Sequence, residues 1–227
     1  MSTLPKEVLH FLKDLKKNNH RDWMQENKKV YQANEKTLKS FYAAIETGLN
    51  VDDQIEKVKV FRINRDIRFS KDKTPYNVHR SVSFSRAGAH RRGGYYLRIE
   101  PGNKSVVAGG FFSPEPPDLL RIRQEFQMDA DVIRGILAAP EFKEAFGSEF
   151  DAWDPVKTAP KGFSKDDPNI DLIRLKNFIV THKYTDKEVL SAEFADKVVH
   201  HFKLMRPFFD YMSEVLTTDL NGVSLLD

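Results

Sequence analysis

The sequence has no cysteine. Disulfides, zinc thiolates, iron–sulfur clusters and thiol nucleophiles are therefore excluded together. It also lacks any run of the ~18 consecutive apolar residues that a membrane span needs. Its first twenty residues show no apolar stretch between a basic start and a small-residue cleavage site, so they read as a helix rather than a signal peptide. A cysteine-free chain without an export signal is expected in the cytoplasm, with no membrane partner. The histidines are His10, His20, His79, His90, His182, His200 and His201. None stands in an H-x-x-x-H or H-x-x-E-H arrangement, so no metal site is expected. G-x-S-x-G, G-x-x-x-x-G-K-[ST] and G-x-G-x-x-G are all missing, and nothing calls for a cofactor.

What is present describes a globular chain. Of 227 residues, 40% are hydrophobic and 30% charged. That length suits one domain with an appendage and can hide roughly 70% of the unfolded surface. The net charge of +3 conceals a strong asymmetry. Residues 57–104 hold 13 Lys+Arg against 3 Asp+Glu, a net of +10. Residues 1–56 are neutral, and residues 105–227 carry 14 against 21, a net of −7. Such asymmetry suggests an anionic ligand or partner. It is equally compatible with an acidic C-terminal part that folds over the basic middle and neutralises it.

Helical spacing of Leu4, Val8, Leu9, Phe11, Leu12 and Leu15 predicts a first helix over 4–17. A short turn with His20-Arg21-Asp22-Trp23 follows, then a helix from Lys28 to Leu49. Residues 55–112 read as strands. The first, IEKVKVFRINRDIRF, places Phe61, Ile63, Ile67 and Phe69 on one face, interrupted by Arg65, and Arg62, Asn64, Asp66 and Arg68 on the other. SKDKTPY is turn-prone. Val78, Val82 and Phe84 alternate in the next strand, and YYLRIEPGN with KSVVAGGFF forms a hairpin about Pro101-Gly102-Asn103. Helices are predicted over Asp118–Gln127, Asp131–Ala138 and Pro140–Phe146, with residues 147–170 irregular. A last strand, LIRLKNFIVTHKYT, precedes a capping box at Thr185-x-x-Glu188. One final helix, Ser191 to Leu216, is expected to kink at Pro207. The order predicts an α+β fold, a largely antiparallel sheet from the middle of the chain packed with N- and C-terminal helices. One domain over 1–227 is expected, with a subdivision near residue 150 as the alternative.

Several stretches carry a resemblance. They are Phe11-Leu12 with Asn18-Asn19-His20-Arg21-Asp22-Trp23, the string Phe61 to Tyr76 (FRINRDIRFSKDKTPY), Gly109-Gly110-Phe111-Phe112 with Pro114, and Leu120-Arg121-x-Arg123. In that order and spacing the chain resembles the domain of unknown function 2461 family over nearly its whole length. The resemblance implies a single domain and brings no activity, cofactor or catalytic residue with it.

The chemistry must therefore be read from the residues. On a strand, Arg62, Asn64, Asp66 and Arg68 would share one face at about 6.6 Å intervals. Guanidinium groups grip phosphate or carboxylate with two hydrogen bonds, and lysines in the following turn add charge. One reading is an anion-binding module built on residues 62–76, with Arg62, Asn64, Arg65, Asp66, Arg68, Lys71, Lys73 and Tyr76 as ligand contacts. Its partner would be a phosphate-containing small molecule or a nucleic-acid backbone. A second is an enzyme on a phosphate or carboxylate substrate, with Asp66, Asp72 or His79 as acid or base. The third is a structural or interaction protein whose arginines pair internally, as an Arg62–Asp66–Arg68 row. Arg65, aimed at the apolar face, must be paired if buried, and a clamp onto a carboxylate or carbonyls would do that.

Arg80, Arg86, His90, Arg91, Arg92 and Arg98 extend the basic character. The Gly-rich loop RAGAHRRGG beside Tyr95 and Tyr96 is either a nucleic-acid contact or a solvated hairpin loop. Gly109-Gly110 reads as a bulge or close backbone approach, with ligand approach near Arg121 and Arg123 as the alternative. Asn18, Asn19, Arg21 and Trp23 lock two helices together or join the pocket.

Overall fold

The computed structural model describes residues 3–151 and 155–226. The helices are α1 (Lys6–Lys17), α2 (Arg21–Glu26), α3 (Lys28–Leu49), α4 (Pro116–Met128), α5 (Asp131–Ala138), α6 (Pro140–Phe146), α7 (Ile170–Ile173), α8 (Asp186–Val189), α9 (Phe194–Leu204) and α10 (Arg206–Thr217). The strands are β1 (Ile55–Val60), β2 (Arg80–Arg86), β3 (Gly94–Ile99), β4 (Ser105–Phe111) and β5 (Phe178–Tyr184). They form one antiparallel sheet in the order β1-β2-β3-β4-β5, so the fold is α+β. No helix among the described residues is long and apolar enough to cross a membrane.

Two compact units make up the chain, each assembled from three segments. Unit 1 comprises Met1–Phe84, Tyr96–Val107 and Lys183–His200, and unit 2 the remainder. In unit 1 the α1 stripe of Val8, Leu9, Phe11, Leu12 and Leu15 is buried, as are Leu38, Phe41, Tyr42, Ile45 and Leu49 of α3. Phe41 stacks on Phe194 at 5.5 Å, and Tyr184 meets Phe194 edge-on at 5.1 Å. In unit 2, Tyr95 packs on Phe202 and Phe209 at 4.9 and 5.1 Å. Phe126 and Phe150 each meet Phe178 at 5.6 Å.

Gly110 has φ +134°, and a Cβ there would collide with the Phe178 carbonyl. A Cβ on Gly109 would run into Met205 and Phe209. The glycine pair therefore serves close packing and contacts between neighbouring backbones.

Four predicted elements differ. Residues 21–26 form α2 instead of a turn, with His20 as its N-cap. β1 stops at Val60 instead of running to Phe69. Beyond it, side chains take the backbone donors that a ladder would use. Asp66 Oδ1 accepts from Arg68 N at 3.2 Å, and Asp72 Oδ1 from Thr74 N at 2.9 Å. Pro75 has no N–H to offer. The strand predicted over 172–185 begins only at Phe178, because residues 170–173 form α7. The Ile173 and Leu175 carbonyls there are satisfied by the Arg123 guanidinium at 2.9 and 3.2 Å. The helix predicted over 191–216 is two pieces, α9 and α10, rather than one kinked rod. α8 starts at the Thr185–Glu188 capping box, and α10 carries Pro207 in its first turn, where the missing N–H costs nothing.

Candidate functional site

Residues 61–79 form a closed loop between β1 and β2. Its arms pair at the antiparallel bridge Asn64–Tyr76. Arg65 N donates to Pro75 O at 2.9 Å and Asn77 N to Ile63 O at 2.7 Å. Ile63 is buried at the base, while Phe69 at the far end is 95% exposed. The alternation expected of a strand puts Phe69 with Ile63, so the loop corrects that placement.

The far part of the loop satisfies itself. Arg65 Nη1 donates to Asp72 Oδ2 at 2.6 Å, to Thr74 O at 3.0 Å and to Thr74 Oγ1. Arg68 grips Asp66 with both arms, Nε to Oδ1 at 3.0 Å and Nη2 to Oδ2 at 2.6 Å. Lys73 Nζ donates to Ile67 O at 2.9 Å. Hydrogen bonds from Arg68, with the positive field of Arg62 as a smaller contribution, hold the Asp66 carboxyl below the usual carboxylate range. Hydrogen bonds from Thr74 and then Arg65 do the same for Asp72.

Two sets of side-chain hydrogen bonds help fasten the loop to the rest of unit 1. Asn19 Nδ2 donates to Tyr76 O at 2.9 Å, and Tyr76 N donates back to Asn19 Oδ1 at 3.1 Å. His20 caps α2 by accepting from Trp23 N at 3.3 Å, and Trp23 lies 5.6 Å from Phe11. The second fastening is Arg80, only 4% exposed. It donates to both carboxylate oxygens of Glu35 at 2.7 Å and to Phe61 O at 2.7 Å. Burial is the largest single influence and lowers its pKa, but the Glu35 hydrogen bonds and charge, together with Tyr31 and Tyr42, outweigh that and hold it above the ordinary arginine value.

Between loop and sheet lies a cleft of about 390 Å³, lined by Phe61, Arg62, Asn64, Arg65, Asp66, Asn77, His79, Ser81 and Tyr96. Leu97 and Ile99 of β3 point into the core, so Tyr96 points to the opposite face. Phe61 and Tyr96 meet edge-on at 6.1 Å. Lys59 Nζ sits 5.0 Å from the Phe61 ring centroid. Among the described residues no hydrogen bond or ion pair engages the Arg62 guanidinium. His79 is pushed below its ordinary pKa by burial first, then by Arg98 and Arg80, with Glu100 opposing.

Four of the sequence-predicted residues thus come together with His79: Arg62, Asn64, Arg65 and Asp66. Arg68, Lys71, Lys73, Tyr76 and Asp72 do not line the cleft. The other arginines of the basic segment are largely neutralised. In unit 2, Arg86 Nη2 meets Asp210 at 2.6 Å and Arg92 pairs with Asp118. Outside that segment, Arg121 of α4 pairs with Glu125 at 2.8 Å. Tyr95 is in the core.

Sequence reasoning missed Arg80 and Glu35 as a pair, although a signal existed. Arg80 has the same parity as the inward-facing Val82 and Phe84. Glu35 is spaced four residues after Tyr31 and three before Leu38, on the apolar side of α3. A cation and an anion on buried faces require partners.

No group of three or more His, Asp or Glu among the described residues could hold a metal ion. No curated protein and no solved structure matches the chain. The family described as "Conserved hypothetical protein (DUF2461)" matches residues 7–211, a span that contains the loop, the cleft and most of both compact units, and the chain belongs to that family.

Proposed function

We propose that the cleft binds a phosphate- or carboxylate-bearing ligand, with Arg62 as its principal contact. The observation that carries this is the contrast within one loop. Arg65 and Arg68 have carboxylate partners within the loop, whereas Arg62 lines the cleft with no such partner. A guanidinium at the wall of a cleft offers paired donors to an oxyanion. Arg65 and Arg68 shape the loop, and Asn64, Asn77 and Ser81 supply neutral hydrogen-bonding groups. The volume lies within the ordinary range for small-molecule sites, about 300–1,000 Å³.

Titration of the full chain with inorganic phosphate and citrate, by NMR and calorimetry, tests this. Arg62→Gln should weaken binding roughly tenfold or more, as expected for a charge-assisted hydrogen bond. Its melting temperature should stay within about 2 °C of wild type, since Arg62 is exposed. Absence of binding to the wild type would return the arginines to a purely structural role.

A second reading is favoured by one observation: Asp66 and His79 line the same cleft, and Asp72 does not. A carboxylate held ionised and an imidazole held neutral, beside a guanidinium, suit acid–base work on a phosphoester. A phosphoester hydrolysis screen of wild type and His79→Gln tests it. Activity lost in the variant supports it, and inactivity of the wild type across the screen removes it.

A further inference from the structure

We infer that the ligand of this cleft is a nucleotide, held by its base as well as by its phosphate. This rests on the reading of the cleft as an anion site. The aromatic residues carry the argument. A pocket for a bare phosphate or a small carboxylate needs only donors. This one has two aromatic rings in its wall, Phe61 and Tyr96, both half-buried and so partly open to a ligand. They come from different elements and meet edge-on at 6.1 Å. Tyr96 stands on the sheet face away from the core, where Leu97 and Ile99 leave it. A flat base stacks on such rings in preference to a sugar or an aliphatic acid.

The neighbouring groups fit the other parts of a nucleotide. Asn64 and Asn77 line the same wall. A carboxamide presents both donor and acceptor, the pattern that a base edge requires. Ser81 offers a hydroxyl for a sugar or a base. Arg62 is placed for the phosphate. Lys59, over the Phe61 ring at 5.0 Å, adds positive charge beside the stacking surface. Aromatic face, amide edge and guanidinium within one cleft of about 390 Å³ correspond to base, hydrogen-bonding edge and phosphate.

The same chemistry could arrive as a free mononucleotide or as one nucleotide of a single strand. Four probes separate the sources, and base recognition from phosphate recognition: adenosine 5′-monophosphate, ribose 5-phosphate, inorganic phosphate and a ten-nucleotide thymidine strand. Each is titrated into the wild-type chain and followed by calorimetry and by amide shifts of residues 61–66. Adenosine 5′-monophosphate should bind on the order of tenfold or more tightly than ribose 5-phosphate, the scale of one base stacked on an aromatic side chain. Tyr96→Leu, which keeps apolar volume but removes the ring, should erase most of that difference while leaving ribose 5-phosphate unchanged. Arg62→Gln should weaken every phosphate-bearing probe alike. Equal affinity for adenosine 5′-monophosphate and ribose 5-phosphate, with both dependent on Arg62, overturns the nucleotide while the anion site survives. No binding by any probe overturns both. If the thymidine strand binds more tightly than the mononucleotide, with an affinity that falls steeply with salt, the source is a strand. The reverse order makes it a free nucleotide.

Discussion

Arg80 and Glu35 meet through two parallel hydrogen bonds, Nε to Oε1 and Nη2 to Oε2, both 2.7 Å long. The third arm of the same guanidinium holds the Phe61 carbonyl. The buried Arg80 and half-buried Glu35 thus tie α3 to β2 and fix the first residue of the loop that forms the cleft. Removing only the carboxylate leaves a cation stranded in the interior. Glu35→Gln should therefore lower stability by about 3 kcal/mol in urea denaturation. The double variant Glu35→Leu with Arg80→Met should recover most of that loss, because it strands no charge. A single variant as stable as wild type would remove the pair from its structural role.

The helices and the hairpin were legible because their causes are local. The apolar spacing of α1 and α3, the Pro and Asp starts of α4 to α6, and Pro101-Gly102-Asn103 all act over a few residues. The loop was not legible, because its alternation from Phe61 to Phe69 imitates a strand. What ends the ladder is a set of side-chain bonds from Asp66, Asp72 and Arg65, which depend on the chain having already turned. The candidate site was half legible for the same reason. The residue types that could face a ligand were visible in the string. Which arginines would be used up by the loop itself was decided by three-dimensional pairing.

Asn19 should matter to the loop more than its place between two helices suggests. Its amide exchanges two hydrogen bonds with the Tyr76 backbone. Asn19→Ala leaves a half-buried donor and acceptor unmatched, at a cost of about 1–3 kcal/mol. Hydrogen exchange at the Tyr76 amide should accelerate more than at amides of β3. Asn19→Asp keeps the acceptor for the Tyr76 N–H but loses the donor, so its Tyr76 exchange rate should fall between those of wild type and Asn19→Ala.

Two substitutions at residues of the motif strings should behave in opposite ways. Gly110→Ala must place a Cβ against the Phe178 carbonyl at φ +134°, so strain of about 1–3 kcal/mol is expected. Phe69→Ser removes a ring that is 95% exposed, and should change stability by no more than about 0.5 kcal/mol. Thermal and urea unfolding of the two variants side by side checks both. A costly Phe69→Ser would mean that its ring is covered in solution.

His79 gives the cleft a pH dependence whose sign is fixed. Burial, then Arg98 and Arg80, lower its pKa from the ordinary 6.5, against the opposing pull of Glu100. Well above pH 6.5 the imidazole is neutral in both folded and unfolded chains, and its contribution to stability is fully present. As the pH falls below 6.5 the unfolded chain takes up the proton first, so stability declines with acidification. The decline stops once the pH passes the folded pKa. Wild type should therefore lose stability more steeply than His79→Gln between pH 6.5 and the folded pKa. NMR of the His79 ring should show a titration midpoint below 6.5 in the free protein. Saturating inorganic phosphate should move that midpoint upward, because an anion in the cleft favours the imidazolium. A midpoint that phosphate leaves unchanged would place the anion outside the cleft, even if it binds elsewhere on the chain.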